Sequence, residues 1–460
     1  MQPLNYGCSC PKSNRTSQNT HITHTIMVLQ KLFGFDSTKH NVRTEIMAGL
    51  TSFLTMAYIL AVNPQIFSAL AEQGMDTGAV FTATVIASVI GTMTMACYAK
   101  LPFGLAPGMG LNAFFVYNVC LTMGYTWQFA LTAILLEGII FIILSITKVR
   151  SLIINAIPLA LKEAISVGLG LFIASLGLKN SQIIVDSPSN LIALGDILTG
   201  PPLLCIIGIF ITAVLLIYRV KGAMLLGILL TALVGIPLGL THFDGIIGMP
   251  PDVSPICMQF EWNKIFTLDM ALVVLTFLFF DMFDTIGTII GVMSSAGMIR
   301  KDGSIPRIDE ALLADAIATT AGACVGASTT TTYVESASGV GEGGKTGLTA
   351  CSTAIAFLIA LFFAPLFLAI PAGATSPILI IVGLMMFANV RNMPFKDYAE
   401  SIPCFITLFI TVMAASISDG IFMGIISYVT LNIIAQKWER LNPTIVFLSI
   451  IFVLRYIFFV

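Results

Sequence analysis

Two groups of acidic side chains sit inside apolar sequence, where acids are costly. The segment STTTTYVESASGVGEGGKTGLTA, residues 328–350, carries Glu335, Glu342 and Lys345 between apolar runs. The segment FLFFDMFDTIGTIIG carries Asp281 and Asp284. An acid at the centre of a lipid-crossing helix costs about 2.5–3.5 kcal/mol on insertion scales, so it is kept for a site, a proton or a partner. An ionised carboxyl only accepts hydrogen bonds, and a protonated one also donates. Such acids suit two tasks: accepting N–H groups of a polar ligand, and carrying a proton.

Asp281 and Asp284 are three residues apart and share one helix face. Asp284 and Glu335 read as site acids. Asp281 fits a site and an internal hydrogen bond equally well. Glu342 and Lys345 read as a structural pair near a membrane surface. Asn112, in PFGLAPGMGLNAFF, fits a ligand contact or a partner for loop backbone. Glu137 is a further acid in an apolar run and reads as a helix-packing contact. Phe279, Phe280 and Phe283 flank the acids, with ring packing the default over stacking on a ligand.

The elements that position these residues follow from composition. The chain has 460 residues, 57% hydrophobic and 10% charged, where a soluble domain carries roughly 25% charged residues. Mean hydropathy is +0.95. Roughly 20 apolar residues cross the hydrocarbon core as a helix, and the chain offers many such runs. They predict an all-α integral membrane protein with spans near 44–66, 79–98, 108–122, 126–147, 159–178, 202–218, 222–240, 268–296, 310–327, 336–350, 351–370, 375–390, 398–415 and 419–436. The tail 444–460 reads as too short to cross and suited to the interface.

Loop charge supports fourteen crossings. Lys100, Lys148, Arg150, Arg219, Lys221, Arg300, Lys301, Arg391, Lys396, Lys437 and Arg440 fall in alternate loops with the basic N-terminal region, and the intervening loops hold Lys179 and Lys264. That pattern predicts both termini in the cytoplasm. Residues 1–26 are polar, lack a signal-peptide core and read as an extension.

The halves are alike. KGAMLLGILL in the seventh span aligns with DGIFMGIISY in the fourteenth. The polar interruptions PFGLAPGMGLNAFF and ASTTTTYVESASG each fall at the third span of their half. Seven spans per half make the repeats inverted. Paired Gly/Pro-broken segments at matching positions point to a transport site at the midplane. Extended backbone there would leave N–H and C=O groups to bind a planar ligand, and the half-helices that follow would aim their N-termini at it. The β-branched Thr329, Thr330, Thr331 and Thr332 suit a short strand, and Gly104, Gly108 and Gly110 suit close approach. The 9 cysteines are scattered and form no CxxC pair, and the 4 histidines form no metal or catalytic cluster. No basic tract suggests nucleic acid, and no HExxH or GxSxG suggests an enzyme.

FGLAPGMGLNAFF, FFDMFDTIGT and TTTTYVESASGVGEGGKTGLTA resemble signature segments of the guanine/hypoxanthine–adenine permease branch of the nucleobase–ascorbate transporter family. TEIMAGLTSFLTMAYILAVNP (44–64) and EAISVGLGLFIASLGL (163–178) resemble it too, so the likeness spans residues 30–460. The resemblance implies two inverted seven-span repeats, a core domain (44–147 and 268–370) and a gate domain (157–240 and 375–436). These lie between an N-terminal extension (1–40) and the apolar tail. It implies proton-coupled uptake of purine bases through the cell membrane, with no cofactor, and allows a homodimer through the gate. It puts the substrate-binding acids on Asp284 and Glu335, with Asn112, Thr331 and Thr332 at the site, and proton coupling on Asp284, Glu335 and Asp281. Some relatives carry a His at the position of Thr288, so a His relay has no counterpart here. Adenine, xanthine or uracil as substrate, an anion, or a sensor that does not transport remain as alternatives; two site acids speak against an anion.

Overall fold

A helix stands at each expected span. The structure, a computed structural model, describes residues 30–147, 158–187, 191–243, 245–295, 298, 306–414 and 416–458. The polar extension 1–26 lies outside the described residues. The first span is split into α1 (Val42–Met56) and α2 (Ile59–Phe67). Pro64 in α2 cannot donate to the Leu60 carbonyl and its ring crowds that group, which fits a break just upstream. α3 (Thr77–Thr94) starts on Asp76, whose carboxylate accepts from the Ala79 N–H at 2.6 Å.

The third span opens with strand β1 (Leu105–Pro107), followed by α4 (Met109–Ala113), which widens to i→i+5 winding through Thr122. Then come α5 (Trp127–Thr147), α6 (Leu159–Asn180), the hairpin β2 (Ile184–Ser187) and β3 (Leu191–Leu194), α7 (Gly200–Ile217) and α8 (Ala223–Gly235). The second half runs α9 (Leu268–Ser295), α10 (Ile308–Val325), β4 (Thr330–Thr332), α11 (Ser336–Gly341), α12 (Gly347–Ala360), α13 (Ala372–Phe387), α14 (Tyr398–Met413) and α15 (Ile417–Ile434). Among the described residues, 8 helical stretches are long and apolar enough to cross a membrane by length and composition.

Two boundaries differ from expectation. The tenth span is only 6 helical residues long, because the Gly-rich GEGGK turn ends it at Gly341. The eleventh starts at Gly347, where Thr346 caps its first turn by accepting from the Leu348 N–H. The apolar tail folds as α16 (Pro443–Phe458) and packs on α15, with Phe422 and Phe452 stacked at 4.2 Å.

Helix packing falls into two groups. α1, α3, α5, α9, α10 and α12 pack mainly with one another, and α6, α7, α8, α13, α14 and α15 form the second set. Small residues allow the close approaches expected of helices in lipid. A Cβ on Gly138 of α5 would lie 2.4 Å from the Thr320 hydroxyl of α10, and one on Gly424 of α15 would lie 1.9 Å from that of Thr407 in α14. At the end of the second set, Asp397 caps α14 and accepts from Lys437 at 2.6 Å and Arg440 at 2.7 Å. Those hydrogen bonds, Lys437 first, hold its carboxyl below the usual carboxylate range.

The halves meet at a two-stranded antiparallel sheet. β1 pairs with β4 in the register Leu105↔Thr332, Ala106↔Thr331 and Pro107↔Thr330. The pairing extends through Tyr333 N–H to the Gly104 carbonyl and Gly108 N–H to the Thr329 carbonyl, both 3.0 Å. Gly108 permits this approach, since a Cβ there would lie 2.8 Å from the Thr331 methyl.

Candidate functional site

The backbone that the sheet ladder leaves over is not free, contrary to expectation. Leu105 donates to Thr92 of α3 at 2.9 Å and its carbonyl accepts from the same hydroxyl at 3.1 Å. Thr319 of α10 does the same for Thr330, at 3.3 and 3.0 Å. Threonines on two helices thus fix both strands from outside, at Leu105 and Thr330.

Glu335 is the N-cap residue of α11, and its Oε1 accepts from the Tyr58 hydroxyl at 2.6 Å. Tyr58 is brought there by the break between α1 and α2. Its backbone neighbour Thr55 donates to the Glu335 carbonyl at 3.3 Å. Asp284, in the middle of α9, is hydrogen-bonded to Thr331 and lies near enough to Glu335 for the two charges to repel. Both acids are half-buried, and the adjacent Val334 is 53% exposed. Tyr333 is buried and donates to the Pro107 carbonyl at 2.7 Å, tying the sheet's end to the start of α4.

Thr331 and Thr332 are buried beside these acids. The Thr331 hydroxyl meets that of Thr285 at 2.6 Å, and Thr285 donates to Asp315 of α10 at 2.9 Å. Thr332 donates to Asp315 at 3.3 Å. Asp281, Glu137 and Asp315 are all fully buried, unlike Asp284 and Glu335. Thr288, one turn after Asp284, is buried in the same helix.

Asn112 sits in a buried hydrogen-bonded chain. It is fully buried, donates to Asn63 of α2 at 2.5 Å and accepts from Ser328. Asn63 donates on to Thr84 of α3 at 2.6 Å. One amide chain thus holds α2, α3, α4 and the approach to β4 together. Phe280 and Phe277 pack on Phe114, at 6.4 and 4.8 Å between ring centres. Phe279 is buried, and the Phe283 side chain lies outside the described residues.

The expected Glu342–Lys345 pair does not form. Glu342 instead pairs with Lys221, between α7 and α8, at 2.8 Å, which bridges the two helix sets. The backbone N–H of Lys345 donates to Glu45 at 3.2 Å. Between the sets, Phe114, Met123, Leu272, Val273, Thr276, Ser418 and Phe422 meet along a seam that leaves no room for a water molecule. A cavity of about 400 Å³ bounded by Thr126, Gln128, Phe260 and Trp262 involves none of the site acids.

Sequence reasoning missed Tyr58, Asn63, Ser328 and Asp315. Asp315 is the eighth residue of its helix, past the turn where an acid would cap it.

A membrane protein with broken third and tenth spans crossing at a sheet, and with acids beside that crossing, invites comparison with known transporters. The model of a permease family, the xanthine/uracil permeases, matches residues 43–422. This chain belongs to that family. The permease is 42% identical over 440 residues to the guanine/hypoxanthine permease PbuG of Bacillus subtilis, covering 94% of this chain and 100% of that one. It is 38% identical over 437 residues to the adenine permease AdeQ of Escherichia coli, covering 95% and 98%. The transmembrane domain of a cyanobacterium bicarbonate transporter, BicA, shares its fold, with a TM-score of 0.61 at 13% identity over 84% of this chain and 97% of that one. The permease is thus a multi-pass membrane transporter and not an enzyme.

The amide chain supports a first prediction. Replacing Asn112 by Ala strands the Asn63 carbonyl oxygen and the Ser328 hydroxyl. Each buried polar group left unpaired costs about 1–3 kcal/mol. The variant is expected to unfold several degrees lower in detergent while retaining ligand affinity. Unchanged melting with lost affinity would make Asn112 a ligand contact instead.

Proposed function

We propose that this permease imports purine nucleobases, guanine and hypoxanthine preferred, together with protons. The observation that carries this reading is the pair Glu335 and Asp284, two half-buried acids near each other beside the crossing strands. The guanine/hypoxanthine permease relative at 42% identity supports the substrate class. Glu335, aligned by Tyr58, accepts N–H groups from one edge of the base. Asp284 binds the opposite edge. Thr331 and Thr332 hold the acids from below, and Asn112 holds the strands. Glu335, Asp284 and Asp281 are the candidates among which the proton-coupling acid is sought. Two acids without a site Lys or Arg disfavour an anion.

Fourteen crossings, with both termini in the cytoplasm and the chain in the cell membrane, accord with the loop charges. The core (44–147 and 268–370) moves against the gate (157–240 and 375–436) to alternate access, and a purine enters as the closed seam between them parts. The gate's outer face suits a homodimer in the bilayer. Adenine is the second reading, favoured by the likeness to AdeQ.

The test is uptake of radiolabelled hypoxanthine, guanine and adenine by purine-transport-deficient cells expressing the chain, with and without a protonophore. Concentrative uptake of hypoxanthine or guanine, abolished by the protonophore, is expected. Adenine taken up in their place would support the second reading, and normal expression with no purine uptake would overturn both.

A further inference from the structure

The permease holds three acids that no ligand-facing role uses. Glu137 of α5, Asp281 of α9 and Asp315 of α10 are each fully buried behind the strands. Asp281 lies within hydrogen-bonding reach of both other carboxyls, and Glu137 faces it directly. Asp315 has donors in Thr285 and Thr332. Glu137 has one donor, Thr329, on Oε2 at 3.2 Å, and its Oε1 has none. Neither oxygen of Asp281 has any donor among the described residues. Among those residues no ion pair reaches the three acids.

A buried acid can be fully satisfied in this fold, as Glu45 demonstrates. It accepts from the N–H groups of Lys345 and Thr346 and from the Thr349 hydroxyl. Asp281 has the opposite environment, acceptors facing acceptors. Two ionised carboxyls in contact inside hydrocarbon repel each other, and one proton between them turns repulsion into a hydrogen bond.

We propose that Glu137 and Asp281 share one proton and form the coupling site of the permease, separate from the substrate acids. This rests on the proton-coupled reading above and deepens it. The step is a proton transfer only: a hydronium ion from outside gives up its proton, an O–H bond forms on one carboxylate, and the pair goes from two negative charges to one. The reverse transfer to cytoplasmic water restores it. The other titratable groups nearby are Asp315 on α10, Asp284 on α9, Glu335 before α11, and the hydroxyls of Tyr58 and Tyr333. The substrate site communicates with the pair through hydroxyls: Asp284 to Thr331, Thr331 to Thr285, Thr285 to Asp315, and Asp315 to Asp281. A base settling on Asp284 thereby changes which donors reach Asp315, and with them the pair's hold on its proton.

The experiment uses the full chain in proteoliposomes, with whichever of hypoxanthine, guanine or adenine the wild type transports. A one-unit pH gradient supports about tenfold accumulation per proton carried. Glu137→Gln and Asp281→Asn are each expected to reduce accumulation to a ratio of one, while base binding in detergent changes by less than about threefold. Glu137→Asp is expected to restore part of the accumulation. Infrared spectra of the wild type at neutral pH should show a deuterium-sensitive protonated-carboxyl band that either neutral variant removes and Asp284→Asn keeps. Wild-type accumulation in Glu137→Gln overturns the proposal, and so does absence of the band in the wild type, whatever the folding of the variants. A wild type that exchanges bases but ignores the pH gradient overturns the proton-coupled reading itself, and this role with it.

Discussion

Glu335→Gln is expected to lower purine uptake on the order of a hundredfold with the protein still folded. The half-buried carboxylate accepts from Tyr58 at 2.6 Å on one oxygen, which leaves acceptor capacity for a ligand. Hydrogen bonds to a charged group are each worth about 1.5–3 kcal/mol, and every 1.4 kcal/mol is tenfold. Glutamine keeps one acceptor and replaces the other with an NH2 group that opposes the N–H edge of the base. A site built for one hydrogen-bonding pattern discriminates strongly against a mismatch. Tyr58→Phe removes only the aligning bond and should lower uptake by roughly tenfold. Initial rates at matched surface expression decide the matter. Uptake of Glu335→Gln within a few-fold of wild type would remove Glu335 from the site.

Asp284→Asn should produce a loss of similar size with a different signature. Asp284 is partnered by Thr331, whose hydroxyl can rotate to serve an Asn carbonyl, so the fold tolerates the change. What is lost is a charged acceptor for the far edge of the base. Equilibrium binding and base exchange should both fall on the order of a hundredfold. Retained exchange with lost accumulation would instead make Asp284 the proton carrier. The same two measurements on both acids therefore separate recognition from coupling.

Much of this architecture was legible in the sequence, because lipid imposes an all-or-none rule on backbone hydrogen bonds. Apolar runs of helical length announced the spans, and two polar interruptions at matching positions announced the crossing strands. Asp284 and Glu335 stood out since charge in apolar sequence is conspicuous. Tyr58 and Asn63 did not, because an uncharged polar residue in an apolar run carries no such signal, and Tyr58 meets its partner 277 residues away. Asp315 was lost among the small residues of LADAIATTAGA, where a helix of Ala and Thr offers no contrast. The free backbone expected along the strands was wrong for a related reason. Thr92 and Thr319 satisfy Leu105 and Thr330, and no local pattern reveals which helix supplies a hydroxyl.

The pairing of β1 with β4 also governs how this protein is made. Ala106 must wait for Thr331, roughly 225 residues later, before its strand is paired. Until then the ribosome has delivered a first half whose third segment lacks its ladder partner. Neither repeat closes its own broken span, although each is a unit of symmetry.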